Sequence, residues 1–159
     1  MRDFMSAEYV IRLEDPRQGD VMRMLSALDK HLQSLYPPES NHILDIAALC
    51  APDIRFWVAR REGVAHGCGA LRVEAGYGEV KRMYVAPEAR GRRLGRAILA
   101  CIEDQAAREG LALMRLETGI HQAAAHALYR SGGYAECAPF GEYRLDPLSV
   151  FMEKRLLTR

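Results

Sequence analysis

Arginine side chains crowd a short glycine-containing turn in the second half of the chain, namely Arg90, Arg92, Arg93 and Arg96. The turn follows an apolar run at residues 80–85 and opens a stretch with helical periodicity. The first N–H groups of a helix have no partner within it and lie at the positive end of its dipole. A glycine such as Gly91 lets an oxyanion approach the main chain. This pattern predicts a strand–turn–helix unit that binds a pyrophosphate, with a solvated helix start or a nucleic-acid patch as alternatives.

The turn matches neither of the common nucleotide-binding loops. It has no lysine followed by serine or threonine, so the nucleoside-triphosphate clamp of a P-loop is not evident. It lacks the three glycines of the dinucleotide fingerprint, and a helix and an apolar strand follow where an acidic residue is expected about 20 residues later. A second glycine pair, Gly67 and Gly69, fails the same pattern because Arg72 stands at its sixth position.

Two blocks of sequence resemble motifs of the GNAT acetyltransferases. Residues 78–97, which contain the strand, the turn and the helix start, resemble motif A. The second block resembles motif B and consists of Leu116-Glu117-Thr118-Gly119, Gln122, Ala125, Leu128-Tyr129 and Gly133-Tyr134. The order and spacing of both blocks fit, and together they cover most of the second half of the chain. The sequence departs from the family at Arg93, where a glycine is usual, and at Gln122, where asparagine is frequent; Arg93 can still offer its backbone N–H.

The resemblance implies an α/β fold and a coenzyme. The fold would be a GNAT-like mixed, mostly antiparallel sheet of about six or seven strands, flanked by about four helices, with splayed central strands. Acetyl-coenzyme A (acetyl-CoA) would be the co-substrate, with no metal, and the backbone of Met83, Tyr84 and Val85 would pair with its pantetheine arm. The other cofactor-binding residues that the resemblance implies are Arg90, Gly91, Arg92, Arg93, Leu94, Gly95, Arg96, Gln122 and Tyr129.

Acetyl transfer needs an acid at the departing sulfur, and Tyr129 is the candidate. A phenol with a pKa near ~10 has a proton that suits a thiolate. Tyr129 also lies only about 20° around a helix from Gln122, so both side chains could face one ligand. In GNAT enzymes the tyrosine of the matching Leu-Tyr pair often has this role. The alternative is an aromatic side chain that packs the helix onto the sheet.

The general base is less defined, and three residues are candidates. Glu79 begins the strand before the turn, at a position that resembles that of the general base in histone-acetylating family members. The alternative is a strand-edge carboxylate paired with Lys81 or Arg82. Glu117 lies near the end of the next strand and could accept a proton or bind an ammonium group. His121 titrates near neutrality in the following loop, where histidines are more often simply solvated. His121 and His126 are five residues apart and do not share a helical face, so a zinc pair is not indicated.

Composition is that of an ordinary soluble globular protein. The 159 residues are 49% hydrophobic and 27% charged, which fits one domain over residues 1–159. The net charge of +1 implies no general attraction to nucleic acid, and no apolar run reaches membrane-spanning length. No export segment is evident, and the widely spaced cysteines, Cys50, Cys68, Cys101 and Cys137, suit reduced thiols. We therefore expect a cytoplasmic protein; the resemblance implies a monomer or homodimer.

An alternating order of strands and helices would position these residues. Gly67 and Gly69 indicate a bulge or a close backbone contact within their strand. The predicted strands are residues 9–13, 54–60, 64–73, 80–85, 111–118, 134–138 and 149–154. The predicted helices are residues 21–35 before the Pro37-Pro38 pair, a short helix at about 43–49 capped by Ser40 or Asn41, 94–110, and 122–132.

The acceptor side is the least defined part of the sequence. In related enzymes the first two helices and the loop at residues 36–41 form its wall, and the polar, aromatic segment 140–147 is a second candidate wall. Charged residues that could hold an amine or a carboxylate there, or else belong to ordinary surface loops, are Glu39, Glu142, Asp146, Arg72 and Arg144.

Three functions are compatible with these residues. The first is direct transfer of an acetyl group from acetyl-CoA to the primary amine of a small or amino-acid-like molecule. The second is acetylation of a protein lysine or N-terminus. The third is a non-catalytic coenzyme-A sensor, which Tyr129 disfavours because binding alone needs no acid at the sulfur. Nucleic-acid binding is a distant fourth, and we expect neither a nucleic-acid nor a membrane partner.

Overall fold

Eight strands form a single sheet in the computed structural model, which describes residues 4–5 and 8–157. The strands are β1 (Phe4–Met5), β2 (Val10–Leu13), β3 (Ile54–Arg61), β4 (Val64–Glu74), β5 (Tyr77–Val85), β6 (Leu113–Gly119), β7 (Ala135–Glu136) and β8 (Ser149–Arg155). Their spatial order is β1-β2-β3-β4-β5-β6-β8-β7, and only β5 and β6 are parallel neighbours. The mixed, mostly antiparallel sheet is confirmed: six longer strands are extended by β1 and β7, which have two residues each.

Four α-helices flank the sheet within the described residues, as the sequence predicts. They are α1 (Gly19–Leu35), α2 (Ile46–Leu49), α3 (Leu94–Arg108) and α4 (Ala123–Ser131). The buried residues of α1 follow the i, i+3, i+4, i+7 spacing of one apolar face: Val21, Met24, Leu25 and Leu28. The helix ends one residue before Tyr36 and the Pro37-Pro38 pair, since proline cannot continue a helix without losing a hydrogen bond.

The start of α2 differs from the prediction. Asp45, not Ser40 or Asn41, caps this helix, and its carboxylate accepts a hydrogen bond from the N–H of Ala48 at 2.8 Å. Ser40 instead ends a 3₁₀ turn, Pro38–Ser40, and its hydroxyl donates to Asp146 at 2.7 Å. The prediction of Ser40 was wrong because its hydroxyl donates to Asp146, a residue distant in sequence, and so does not cap the helix.

Helices α1 and α3 cover opposite faces of the sheet. Successive residues of β3 alternate between two apolar clusters: Phe56 packs with α1 and α2, and Trp57 packs with α3. The predicted close contact at the β4 glycines is confirmed, because a Cβ atom at Gly69 would lie 2.7 Å from Cγ2 of Ile98. Glycine therefore allows α3 to approach the centre of the sheet.

The central strands splay apart, as the family resemblance implies. Strands β5 and β6 pair only at Gly78 with Met114 and at Glu79 with Arg115. Beyond that point β5 remains paired with β4 on its other side. A bulge interrupts this second pairing, because β5 places two residues, Arg82 and Met83, opposite one residue of β4. The gap between β5 and β6 opens a cleft through the middle of the sheet.

The ends of the described chain differ most from the predicted elements. The strand predicted at residues 134–138 is reduced to β7, after which the N–H of Cys137 donates to the carbonyl of Phe151 and the chain leaves the sheet. Strand β1 pairs with β2 in a segment for which the sequence predicts no strand. Among the described residues, no helix is both long and apolar enough to cross a membrane.

Candidate active site

A cleft of about 610 Å³ lies where β5 and β6 diverge. Its walls are α1 and the loop that follows it, the outer half of β5, the start of α3, the end of β6 and the start of α4. The sequence-predicted residues that line it are Met83, Tyr84, Val85, Arg90, Gly91, Arg93, Leu94, Gly95, Arg96, Glu117, His121, Gln122 and Tyr129. Two predicted residues, Glu79 and Arg92, are not among the lining residues.

The start of α3 has the backbone conformation that an anion site requires. Arg93 is the N-cap residue in the left-handed region, with φ of 60°, and no side chain caps the helix. This conformation explains why a glycine suits the position, and Gly91 nearby has φ of 78°. The first N–H groups of α3, beginning at Leu94, therefore lack a side-chain acceptor and meet the positive end of the helix dipole.

Three of the four predicted arginines surround this helix start within the cleft. Nε of Arg90 donates to the carbonyl of Val85 at 3.1 Å, and Nη2 of Arg96 donates to Oγ of Ser131 at 2.6 Å. The side chain of Arg93 is exposed at the cleft.

The fourth arginine points elsewhere. Arg92 forms an ion pair with Glu8, at 2.6 Å between Nη1 and Oε2. Its side chain is therefore engaged with the N-terminal part of the chain, and the sequence did not distinguish it from its three neighbours.

Helix α4 approaches α3 closely beside the uncapped start of α3. A Cβ atom at Gly95 would lie 3.2 Å from a methyl group of Leu128, which is tight but involves the end of a flexible side chain. Both residues line the cleft, together with the bulged part of β5. Glycine at this position thus narrows the cleft between the two helices and leaves the main chain of α3 accessible.

Tyr129 lines the cleft and is buried, with 5% of its surface exposed. Burial raises the pKa of its phenol, and the negative charge of Glu117 raises it further. The ring packs edge-on against Tyr134, whose hydroxyl donates to Glu103 at 2.8 Å. Tyr129 therefore keeps its proton at neutral pH in the lining of the cleft.

Glu117 faces the same part of the cleft from the end of β6. Its side chain is partly buried, and burial raises the pKa of the carboxyl. The hydroxyl of Ser149, His42 and Lys81 lower this pKa, whereas the charge of Glu79 raises it. A carboxyl group with a raised pKa beside a buried phenol is an arrangement that suits proton transfer. The structure thus brings together two of the three predicted catalytic residues.

Glu79, the third predicted residue, lies behind the cleft wall. It is buried, its Oε2 accepts a hydrogen bond from the hydroxyl of Tyr143 at 2.5 Å, and Nζ of Lys81 lies 3.5 Å away. The same ammonium group donates to the hydroxyl of Tyr143 at 2.8 Å and to the carbonyl of His42 at 3.0 Å. The contact with Lys81 is the alternative that the sequence left open for this carboxylate.

Gln122 and His126 hold the loop between β6 and α4. Oε1 of Gln122 accepts a hydrogen bond from the N–H of Gly119 at 2.9 Å, and Nε2 of His126 lies 2.8 Å from the carbonyl of Gly119. Gln122 lines the cleft, but its carbonyl oxygen is already engaged with the protein. Only its amide N–H groups are left for a ligand.

Tyr36 is a cleft residue whose role the sequence did not reveal. It is buried at the end of α1, its hydroxyl accepts the N–H of His121 at 3.1 Å, and its ring stacks on the His121 ring. It packs so closely on Gly119 that a Cβ atom there would lie 1.9 Å from the Tyr36 hydroxyl. The contact with His121 joins positions 85 apart in the chain, so no local sequence pattern could indicate it.

Two loops are tied together on the α1 side of the cleft. The hydroxyl of Ser40 bonds to Asp146, and the rings of His42 and Tyr143 pack edge-on at 5.0 Å. Of the other charged residues suggested for this side, Glu39, Glu142 and Arg144 are exposed outside the lining, and Arg72 pairs with Asp53 and Glu74. Loop segment 140–147 therefore supports the wall, while its exposed charges lie outside the cleft.

Comparison with known proteins agrees with this geometry. The model of the acetyltransferase (GNAT) family matches residues 22–134. The chain belongs to the GNAT acetyltransferase family. It is 54% identical over 148 residues to a protein of Azospirillum brasilense named IAA acetyltransferase, which covers 92% of this chain and 97% of the relative. Membership in the family makes this chain an acyltransferase.

Solved structures extend the comparison to the fold. A Klebsiella pneumoniae structure described as an acyl-CoA N-acyltransferase superposes with a TM-score of 0.81 at 38% identity, covering 96% of this chain and 100% of the other. PaiA N-acetyltransferase of Thermoplasma acidophilum, solved in complex with coenzyme A, superposes with a TM-score of 0.73 at 18% identity, covering 96% and 100%. At that identity the second likeness shows the shared fold. No group of three or more potential metal ligands occurs among the described residues.

Proposed function

We propose that this protein transfers an acetyl group directly from acetyl-CoA to the primary amine of a small or amino-acid-like acceptor. The observation that carries the proposal is that one cleft contains two chemically different parts. It is lined by the uncapped start of α3, here called the α3 end, and by Glu117 and Tyr129, here called the acceptor end. The α3 end suits a diphosphate and the acceptor end suits the chemistry of a thioester and an amine.

The residues at the α3 end fit a coenzyme-A diphosphate. The N–H groups that begin with Leu94 and Gly95 would donate to the phosphate oxygens, and Arg90, Arg93 and Arg96 would add positive charge around them. The side of β5 that has lost its β6 partner would pair with the amide groups of pantetheine as an added strand does. A protein with the same fold has been solved in complex with coenzyme A, which supports coenzyme A as the ligand of this fold.

Glu117 would act as the general base. The acceptor enters as an ammonium ion, which must lose a proton before its nitrogen can attack the thioester carbonyl. Glu117 takes that proton, the nitrogen–carbon bond forms, and the carbon–sulfur bond breaks. The nitrogen releases its second surplus proton as the amide forms, and this proton restores the phenol of Tyr129 after the phenol has protonated the sulfur. The raised pKa of the Glu117 carboxyl brings its affinity for the proton closer to that of the amine.

Tyr129 would protonate the departing sulfur, and its coupling to Glu117 sets the order of events. Part of the rise in the Tyr129 pKa comes from the charge on Glu117. That part disappears once Glu117 has taken the proton of the amine. The phenol therefore becomes more acidic at the stage when the thiolate leaves, and the two proton transfers are linked.

The tied loops on the α1 side favour a small acceptor over a protein substrate. Ser40 and His42 contact Asp146 and Tyr143 across this side, and Lys81 anchors the same junction. A lysine side chain carried by a folded protein needs an open groove at this place. The closed junction therefore makes protein acetylation the second candidate.

A binding and turnover screen tests the proposed function. We expect acetyl-CoA and coenzyme A to raise the melting temperature, by an amount that corresponds to about 2.7 kcal/mol at 100 times the dissociation constant, whereas NAD and ATP have no effect. Release of free thiol should then depend on a small amine and not on lysine-containing peptides. No shift with either coenzyme-A form, or turnover only with peptides, would contradict the proposal.

A further inference from the structure

Arg82 is a buried arginine in the wall of the cleft that neither the proposed cofactor site nor the proposed proton transfers use. It lies in the β5 bulge with φ of 56°, and 4% of its side chain is exposed. Its Nη1 donates to Asp29 of α1, so the guanidinium lies on the α1 side of the sheet. This is the side on which Leu28, His31 and Leu32 line the cleft.

One edge of this guanidinium has an unused donor. Nε of Arg82 is buried and has no hydrogen-bond partner among the described residues. An arginine presents Nε and Nη2 along one edge, and this fork matches the two oxygens of a carboxylate. A buried charged N–H that lacks an acceptor is unfavourable, so the arrangement is stabilised by a ligand that supplies one.

The ion pair with Asp29 is the part of this arrangement that can change. The Asp29 side chain is 34% exposed, in contrast to the arginine that it contacts. It can therefore turn toward water when another anion reaches the guanidinium. Asp29 is thus the counter-ion of Arg82, and an anionic ligand could bind the guanidinium beside Asp29 or in its place.

The neighbouring cations are not available in the same way. Lys81 is held by Glu79 and Tyr143, and Arg72 by Asp53 and Glu74. Glu117 also lines the cleft, where Ser149, His42 and Lys81 interact with its carboxyl group. This half of the cleft thus offers one carboxylate for an ammonium group and one guanidinium edge for an anion.

We propose that Arg82 is the binding site for a carboxylate on the acceptor, so that the substrate class is amines that also carry a carboxylate. This inference rests on the proposed function and adds the acceptor's second charged group. The Nε–Nη2 edge of Arg82 would bind the carboxylate, and Glu117 would receive the ammonium group. Arg82 is thus a specificity-determining residue and takes no part in the proton transfers.

The first test uses the unmodified protein and pairs of acceptors that differ only in the carboxylate. Phenylalanine with phenethylamine, and leucine with isoamylamine, are such pairs. For at least one pair we expect kcat/KM to be about 10- to 100-fold higher for the amino acid, the range that a charged hydrogen bond provides. If the decarboxylated amines are equal or better acceptors in every pair, the inference is wrong.

The second test compares three variants with the same pairs. Arg82→Gln should remove the preference by raising KM for the amino acid while KM for the plain amine and the affinity for coenzyme A stay unchanged. Asp29→Asn should act in the opposite direction and lower KM for the amino acid, because it removes the competing carboxylate. Arg72→Gln, on the neighbouring strand and outside the cleft lining, is the matched control and should leave the preference intact.

The outcomes separate this inference from the proposed function. If the Arg82–Asp29 pair were purely structural, both variants would lower the melting temperature and neither would change the preference. That result would overturn the carboxylate site and leave acetyl transfer standing. Absence of acetyl transfer to every amine, despite coenzyme-A binding, would overturn the proposed function and this inference together.

Discussion

The two ends of the cleft are built in different ways. At the α3 end the groups proposed to bind the ligand are main-chain N–H groups, placed by the left-handed conformations of Arg93 and Gly91. At the opposite end they are side chains, such as Tyr36, Glu117 and Tyr129, that come from three separate elements. An anion that is common to many substrates can be held by backbone, whereas an acceptor that differs among enzymes must be recognised by side chains. Substitutions should therefore have larger and more selective effects at the acceptor end.

The largest effect is expected from Tyr129→Phe. Removal of the hydroxyl should lower kcat by about 10²- to 10⁴-fold, the usual contribution of a general acid, because the thiolate then leaves unprotonated. The affinity for coenzyme A should change little, since the aromatic ring that packs on Tyr134 remains. Steady-state kinetics and calorimetric titration with coenzyme A measure the two quantities separately. Parallel losses in both would mean that Tyr129 serves binding only.

Glu117→Gln should lower kcat by about 10²-fold or more and change the pH dependence. Because Glu117 must be ionised to accept a proton, the unmodified protein should gain activity as pH rises through the raised pKa of this carboxyl. The variant should lose that limb of the profile. A profile unchanged by Glu117→Gln would assign the limb to another group, and Glu79→Gln is the variant to compare.

Glu117→Gln should also raise stability, although it lowers activity. Burial raises the pKa of Glu117, so the folded state retains this proton at pH values where the unfolded chain has lost it. Its stabilising contribution is present at low pH and is lost as pH rises through the folded-state pKa. At neutral pH, Glu117→Gln should therefore raise the free energy of unfolding in denaturant titrations, and at pH 4 the gain should shrink.

The α3 end could largely be predicted from the sequence, whereas much of the acceptor end could not. The β5–turn–α3 unit could be predicted because its residues are neighbours in the chain and its chemistry is that of a helix start. The contact of Glu79 with Lys81 lies within β5 and was one of the two alternatives for that carboxylate. Three other sets of contacts could not be predicted, because each joins elements that only the folded sheet brings together: those of Tyr36, those of Tyr143 with Glu79 and Lys81, and the Arg82–Asp29 pair. Within the predicted unit, the direction of the Arg92 side chain depended on Glu8, which is 84 positions away.

A smaller effect is expected from Gly119→Ala at the acceptor end. The added Cβ would collide with the Tyr36 hydroxyl, and such overpacking costs about 1–3 kcal/mol of stability. Displacement of Tyr36 should also raise KM for the acceptor without weakening coenzyme-A binding. Thermal unfolding in the Tyr36→Ala background is the control: the penalty for Gly119→Ala should largely vanish there. A full penalty in that background would place the clash elsewhere.

The smallest effect is expected at the α3 end, from Arg93→Gly. Glycine adopts the left-handed conformation without strain, so relief of that strain should raise stability by no more than about 1 kcal/mol, less the greater backbone entropy of glycine. Coenzyme-A binding should weaken only slightly, because the backbone N–H groups persist. Arg92→Ala, which removes a side chain directed at Glu8, is the matched control and should leave the affinity unchanged. A loss of binding above tenfold in either variant would show that side chains, not backbone, hold the diphosphate.

The most direct test of the whole account is a crystal structure with coenzyme A bound. We expect the diphosphate to lie within hydrogen-bonding distance of the N–H groups that begin at Leu94. We expect the sulfur to lie beside the hydroxyl of Tyr129, on the side that faces Glu117. A diphosphate bound away from the start of α3, or a sulfur directed out of the cleft away from Tyr129, would contradict it.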